Sequence, residues 1–531
     1  MDRETLTLPN DVESLQALVL SLHETHLEQQ AQIQRQSSLI DQLVEQIKLA
    51  RRQQFGASSE RWSVDQMRLF NEAEAIVDRE GVDEESESDA DTVAVLAHRR
   101  KRGGRKLLPP ELPRIEVIHE LPESERVCPH DGATLKVINE VATEQLDIMP
   151  AQVRVIRHIR KKYSCPCCDG TIKTAPMPNQ PIPKSRVSPG LLAYVVTNKF
   201  ADALPLYRQE QIFQRLGIEI SRANLANWVV KAGQLVQPLI NLMRDKILEY
   251  DIVAMDETVV QVLKEPGKAP QSQSYLWVQR GGPPGQPMIL YDYDPSRSQA
   301  VPERLLAGYA GYLQTDGYAA YDVVGSEPHI TQVGCFAHAR RKFDEALKGQ
   351  SKKRKSSHAW RGFKFIQQLY RIERSLKKDT KPEVRYRIRQ EQAVPILKEM
   401  RAWLHQALPE VAPRTLTGKA LNYVHKQWPK LTRYLEDGRL RIDNNLVENA
   451  IRPFVLGRKN FLFCDTVRGA NASANLYSLI ETAKANNIEP YQYLRQVFAE
   501  LPNAKTVEDV EALLPYSVEQ TNTDDVKNAV G

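Results

Sequence analysis

Three acidic residues far apart in the chain carry the clearest chemical signal: Asp256, Asp316 and Glu448. Asp256 ends the apolar run Ile252-Val253-Ala254-Met255, and Asp316 closes Gly311-Tyr312-Leu313-Gln314-Thr315. Such runs read as buried strands, so both carboxylates are expected at strand ends. Glu448 follows Asp443-Asn444-Asn445-Leu446-Val447, a polar helix start for which Asp443 or Asn444 can act as N-cap. Three acids gathered at a sheet edge can hold two divalent ions, which activate an attacking oxygen and stabilise a leaving one at a phosphodiester. Mg²⁺ suits such a site because it is hard, prefers oxygen and keeps several waters. This is the chemistry of a nuclease or a strand-transfer enzyme. Asp443 competes as third ligand, but helix capping explains it. Glu257 is expected to support the site or face solvent, and Asp292 and Asp294 to form the turn around Pro295.

The blocks around these acids resemble the transposases of the insertion-sequence-66 family. They are Ala254-Met255-Asp256-Glu257-Thr258, Thr315-Asp316-Gly317-Tyr318, Gly334 to Phe343, and Ile442 to Pro453 with Gly457 to Phe463. The resemblance covers nearly the whole chain. It implies an Asp-Asp-Glu triad of Asp256, Asp316 and Glu448 on a ribonuclease-H-like fold, with two Mg²⁺ per active site. The implied activity is cleavage at the element's terminal inverted repeats, followed by transfer of the freed 3′-hydroxyl into target DNA. Accessory proteins of the same element are possible partners. The rival readings are a ribonuclease-H-like nuclease or resolvase without strand transfer, and a DNA-binding repressor with a dead site.

The 531 residues include 41% hydrophobic and 26% charged side chains. That composition fits a soluble protein, and the length fits several domains. The order of strand-like and helical runs fits a multidomain α+β fold, and no apolar run approaches a membrane span. Met1-Asp2-Arg3-Glu4 lacks the layout of a signal peptide, and six cysteines make no disulfide framework. A bacterial cytoplasm is the expected setting. The net charge of +5 hides an asymmetry: Arg340 to Arg401 holds twenty Lys/Arg against seven Asp/Glu. A basic region beside an acidic metal site suits a phosphate backbone. No Walker-type glycine run is present, so ATP-driven action is not supported.

Along the chain, residues 1–62 read as a coiled-coil helix with a Leu/Ile seam broken by Thr25, Gln29, Gln32 and Gln36. That helix is expected to pair subunits of a homo-oligomer. Residues 63–111 form a charged, disordered linker, in which Asp83 to Asp91 holds six acids and Arg99 to Lys106 six bases. Residues 112–180 read as a small zinc-binding β unit. Cys128, Cys165 and Cys168 are expected to bind one structural Zn²⁺, with Asp131 or His130 as fourth ligand. In the resembled family two Cys-x-x-Cys pairs occur, and Asp131 stands where the second cysteine would be.

Residues 181–250 read as a helical DNA-binding region, with Ser221 capping a helix that presents Arg222 and Asn224 in helix-turn-helix fashion. The ribonuclease-H-like core is expected in two parts, 251–343 and 441–500, around a basic helical insertion at 344–440. Residues 501–531 read as a C-terminal tail. The Cys335-x-x-His338 pair supplies only two ligands, so a structural or DNA-positioning role is expected. Arg340, Arg341 and Lys342 are expected to contact phosphates, and Arg452, Arg458 and Lys459 to clamp a transposon end near Glu448. Cys464 reads as a small core residue.

Overall fold

A computed structural model of the chain describes residues 11–30, 32, 36, 153–164, 172–349, 357–377 and 379–518. It divides into a unit of residues 1–56 with 160–519, and a unit of 57–159 with 520–531. In the second unit only 153–159 are described, exposed and without regular structure. The linker at 63–111 and the expected zinc ligands Cys128, His130, Asp131, Cys165 and Cys168 lie outside the described residues.

Helix α1 runs over 12–30, and its Val19, Leu20, Leu22 and Leu27 side chains are exposed. Strands β1 (Lys162–Ser164) and β2 (Ile172–Thr174) form a short antiparallel pair. The alternating stretch from Val153 becomes a strand only at Lys162.

Four helices follow: α2 (Pro189–Phe200), α3 (Leu206–Arg215), α4 (Arg222–Leu235) and α5 (Gln237–Leu248). Ser188 and Ser221 cap α2 and α4 by accepting backbone N–H bonds from Leu191 and Asn224. The α3–α4 turn passes through Gly217 at φ +78°, a conformation that favours glycine. Buried Gln209 donates to the carbonyls of Val195 and Leu204, tying α3 to the end of α2.

The sheet is built from β3 (Ile252–Lys264), β4 (Gln273–Gly281), β5 (Met288–Asp294), β6 (Gly311–Gln314) and β7 (Ile330–Val333), in the order β5-β4-β3-β6-β7. The β3–β4 and β4–β5 pairs are antiparallel, whereas β6 runs parallel to β3 and β7 parallel to β6. Short helices α6 (Ala300–Leu305) and α7 (Ala320–Val324) lie between β5 and β7 in the chain. Val253 and Met255 are fully buried on one face of β3, so the alternation turns Ala254 and Asp256 to the other.

After β7 the chain enters the insertion: α8 (Phe336–Gly349), α9 (His358–Ser375), α10 (Pro382–Ile388), a π-turn (Arg389–Ala393), α11 (Val394–Glu410) and α12 (Leu416–Thr432). Its own core includes Phe336, Phe343, Ile366, Leu369, Met400 and Leu421. Gly362 permits the α8–α9 contact, since a Cβ there would sit 2.5 Å from the Phe343 ring. Pro429 does not end α12, which continues to Thr432.

One buried cation organises the exit from the insertion. Arg389 is fully buried and forms a two-pronged ion pair with Glu373, at 2.8 and 2.9 Å. It also donates to the carbonyls of Tyr434 (2.8 Å), Asp437 (3.2 Å) and Leu440 (2.9 Å). Those carbonyls belong to the loop that returns the chain toward Asp443.

The chain then forms α13 (Asn445–Phe461), β8 (Cys464–Thr466), α14 (Val467–Ala485), α15 (Pro490–Glu500) and α16 (Val507–Glu511). Strand β8 pairs with the far end of β3, which explains the burial of Cys464. The segment from 501, read as a tail, is anchored in part: Leu501, Leu513 and Leu514 are buried, and the Leu513 carbonyl accepts from the Tyr493 hydroxyl, whereas α16 buries no residue.

Helix α14 lies along edge strand β5. The Thr482 hydroxyl accepts from the Ile289 N–H (2.9 Å) and donates to the Ile289 carbonyl (3.0 Å). Ser478 accepts from the Tyr291 N–H, and Asn486 donates to the Pro287 carbonyl. The spacing of four residues puts all three on one helix face. Thr482→Val keeps the shape but strands two buried backbone groups, so it should cost about 2–4 kcal/mol. Denaturant unfolding of the purified variant measures this, and a loss well below 1 kcal/mol would contradict it. Among the described residues no helix is long and apolar enough to cross a membrane.

Candidate active site

The parallel register of β3 and β6 brings two of the acids together. Ala254 pairs with Gln314, so Asp256 and Asp316, each two residues further on, come side by side. Asp316 lies just past the end of β6, but Asp256 lies within β3 and not at a strand end, because β3 runs on to Lys264 alongside β4. The Asp256 Oδ1 accepts from the Glu257 N–H, and the Asp316 Oδ1 from the Tyr318 N–H, both at 2.8 Å. Backbone donors thus fix one oxygen of each aspartate. Gly317 lets this loop approach α12, because a Cβ there would lie 2.7 Å from the Tyr423 ring.

Glu448 arrives on the first turn of α13, which is anchored by Asn444. The Asn444 amide donates to the Met255 carbonyl (3.1 Å), immediately before Asp256. Its backbone N–H donates to the Cys335 sulfur (3.2 Å). Asn444 occupies the N-cap position without capping through its side chain. Asp443 instead accepts from the Asn445 N–H (3.3 Å) and from the Tyr370 hydroxyl (2.8 Å). These anchors were invisible in the sequence, although the Asp-Asn-Asn run supplies more capping groups than one helix needs.

Burial pushes the Asp256 carboxyl well above its ordinary range, and Glu257, Asp316 and Glu448 add repulsion against the Glu257 N–H bond. Glu257 is also raised by burial, opposed by its bonds from the Tyr321 hydroxyl (2.5 Å) and Arg297 (2.5 and 2.8 Å). It is a buried support behind Asp256. Arg297 in turn stacks 3.9 Å over Tyr318, linking this support to the Asp316 loop. Asp294 accepts from the Ser296 N–H in the turn before Pro295 and beyond, but Asp292 is a buried strand residue paired with Arg244 at 2.5 Å. The expectation of two turn aspartates holds for Asp294 alone.

His338, on α8, reaches the same place: its Nδ1 lies 3.7 Å from one Glu448 oxygen, and Arg341 lies 3.7 Å from the other. Neither His338 Nδ1 nor Glu448 Oε1 has a hydrogen-bond partner, although both atoms are buried. Burial lowers the His338 pKa, with Glu448 opposing. Cys335 is buried and its thiol is pushed up to about 12 by burial. Its sulfur accepts the backbone N–H of Asn444, so it ties the start of α8 to the N-cap of α13.

Asp316 and Glu448 both act on Asp256, and carboxylate oxygens, one of them buried without a hydrogen bond, suit a hard divalent cation. Among the described residues, the three ligand atoms that lie within 4.8 Å of one another are those of Cys335, His338 and Glu448. The expected DNA contacts divide by position. Arg222 and Asn224 are exposed on the first turn of α4. Arg340 is exposed over Phe363 (5.2 Å) and Tyr370 (5.8 Å), and Lys342 lies 4.9 Å over Tyr423. Arg452 is exposed one turn beyond Glu448, and Lys459 is half-buried. Arg458 is turned into the fold, where its guanidinium donates to the Val259 carbonyl of β3.

Comparison with known proteins bears on this arrangement. The profile of the transposase IS66 family matches residues 184–472, more than half the chain and all three acids. The zinc-finger binding domain of transposase IS66 matches 125–169, and the IS66 C-terminal element matches 478–516. A profile described as transposase C of IS166 homeodomain matches 42–117. The uncharacterized protein y4jD of Sinorhizobium fredii is 34% identical over 77% of this chain and 81% of its own length. The uncharacterized protein y4qI of the same organism is 31% identical over 96% of this chain and 97% of its own. With the matched region spanning the sheet, the insertion and the helix that bears Glu448, the chain belongs to the IS66 family of transposases.

Proposed function

We propose that this transposase cleaves DNA at the ends of its element and joins the freed 3′-hydroxyl to target DNA at one metal-dependent site. The observation that carries this reading is the β3–β6 register, which sets Asp256 beside Asp316 where Glu448 also acts on Asp256. Three antiparallel strands followed by two parallel ones support a ribonuclease-H-like core. Asp256, Asp316 and Glu448 are the residues that would hold two Mg²⁺ ions. Bound there, the ions would make water a better nucleophile and offset charge on the leaving oxygen.

The chain's own contribution is preorganisation. Backbone N–H groups fix the two aspartates, and Asn444 fixes the helix that presents Glu448, so the charges are aligned before DNA arrives. Burial and like charges oppose ionisation of Asp256, a cost that a bound cation would offset, so metal binding should weaken as pH falls. Arg341 stands next to Glu448 and suits a phosphate oxygen. Arg340, Lys342, Arg452 and Lys459 extend that contact along the backbone, and Arg222 and Asn224 serve duplex recognition. Arg458 has a structural role, holding α13 to β3. Cys128, Cys165 and Cys168, with Asp131 or His130, serve one structural Zn²⁺ in the unit that matches the family's zinc-finger domain. Helix α1 is the element we assign to pairing subunits, because its apolar side chains are uncovered.

A linear donor end bearing a 3′-hydroxyl, incubated with target plasmid and Mg²⁺, tests the reading. Covalent joining of donor to plasmid is the expected result. Cutting without joining would favour a nuclease or resolvase.

A further inference from the structure

We propose that His338 is a direct ligand of the divalent ion held by Glu448, which makes that position a mixed nitrogen–oxygen site. The inference rests on the reading of Glu448 as a metal ligand and adds a residue to it. The His338 Nδ1 and Glu448 Oε1 are 3.7 Å apart, beyond the usual hydrogen-bond distance of about 2.9 Å. Two atoms that each lie about 2.0–2.2 Å from one ion are separated by a little over 3 Å, so a small side-chain rotation suffices. Both atoms are buried and both lack a partner. A buried polar atom left unpaired costs about 1–3 kcal/mol. Two of them facing each other mark a position that something else completes.

Cys335 lies within the same cluster, all three ligand atoms being within 4.8 Å of one another. Its sulfur, however, already accepts the Asn444 backbone N–H at 3.2 Å. We assign Cys335 to anchoring the start of α13 and His338 of the Cys-x-x-His pair to the ion. The pair is thus half scaffold and half ligand. An imidazole nitrogen in an otherwise oxygen site shifts preference from Mg²⁺ toward first-row transition ions. The Glu448 position should accordingly take Mn²⁺ in preference to Mg²⁺.

The test uses the full chain, zinc-replete and titrated with Mn²⁺, with pulsed electron paramagnetic resonance to detect nitrogen bound to the ion. Wild type should show histidine nitrogen coupled to Mn²⁺. His338→Gln should remove the coupling and lower Mn²⁺ affinity at least about tenfold, with a smaller change for Mg²⁺. Mn²⁺ that is displaced by Glu448→Gln but shows no nitrogen coupling in wild type would overturn the assignment and leave the carboxylate site standing. Coupling that persists in folded His338→Gln would overturn it equally. Protein whose Mn²⁺ binding is indifferent to both Asp256→Asn and Glu448→Gln would overturn the carboxylate site and this inference together. The wild-type spectrum decides the matter even if the variant misfolds.

Discussion

Asp256→Asn, Asp316→Asn and Glu448→Gln, made one at a time, should each lower cleavage and joining by on the order of a thousandfold or more, about 4 kcal/mol of barrier. Each change keeps the side chain's shape and removes charge that bound cations require. Binding to element ends should be nearly unchanged, since the exposed basic residues are untouched. End-labelled DNA in gel-shift and joining assays separates the two properties. Full Mg²⁺-dependent joining by any one variant would remove that residue from the site. A second readout comes from stability. Asp256 is half-buried beside like charges, so Asp256→Asn should raise the melting temperature of the metal-free protein while abolishing activity.

Arg389→Met should produce the largest loss of stability, about 3–5 kcal/mol, because it leaves Glu373 as an unpaired charge at a buried contact. Adding Glu373→Leu should restore only part of this, since the carbonyls of Tyr434, Asp437 and Leu440 stay unpaired. Hydrogen exchange of the loop at 434–440 would locate the damage, and unchanged protection there would contradict the role assigned to Arg389. Activity should fall with stability, because this loop leads directly to Asp443, Asn444 and the helix that bears Glu448.

The strands that hold the acids were legible because their signal is local. The apolar run before Asp316 marks β6 to within two residues, and Ser221 marks the start of α4. The run before Asp256 marks the start of β3 but not its end, since β3 continues through Asp256 to Lys264. What was not legible depends on partners distant in sequence. The count of twenty basic residues between Arg340 and Arg401 reads as one phosphate-facing surface, yet Arg389 is wholly inside. Asn444 reads as a cap, yet it bonds to a carbonyl 189 residues earlier. Ser478, Thr482 and Asn486 look like ordinary polar positions on a helix until β5 is laid beside them. In each case one side chain serves a group whose location only tertiary packing defines.

The seam between α14 and β5 also dictates an order of events during synthesis. Its two sides are nearly two hundred residues apart, so the sheet leaves the ribosome long before its outer strand can be sealed. Until α14 emerges, the backbone of β5 is open to pairing with any other extended segment. A gene copy that loses its 3′ end before the codon for Ser478 therefore yields a chain prone to aggregate, not a stable fragment that competes for element ends. Decay of such copies should silence them by insolubility while Asp256, Asp316 and Glu448 are still encoded.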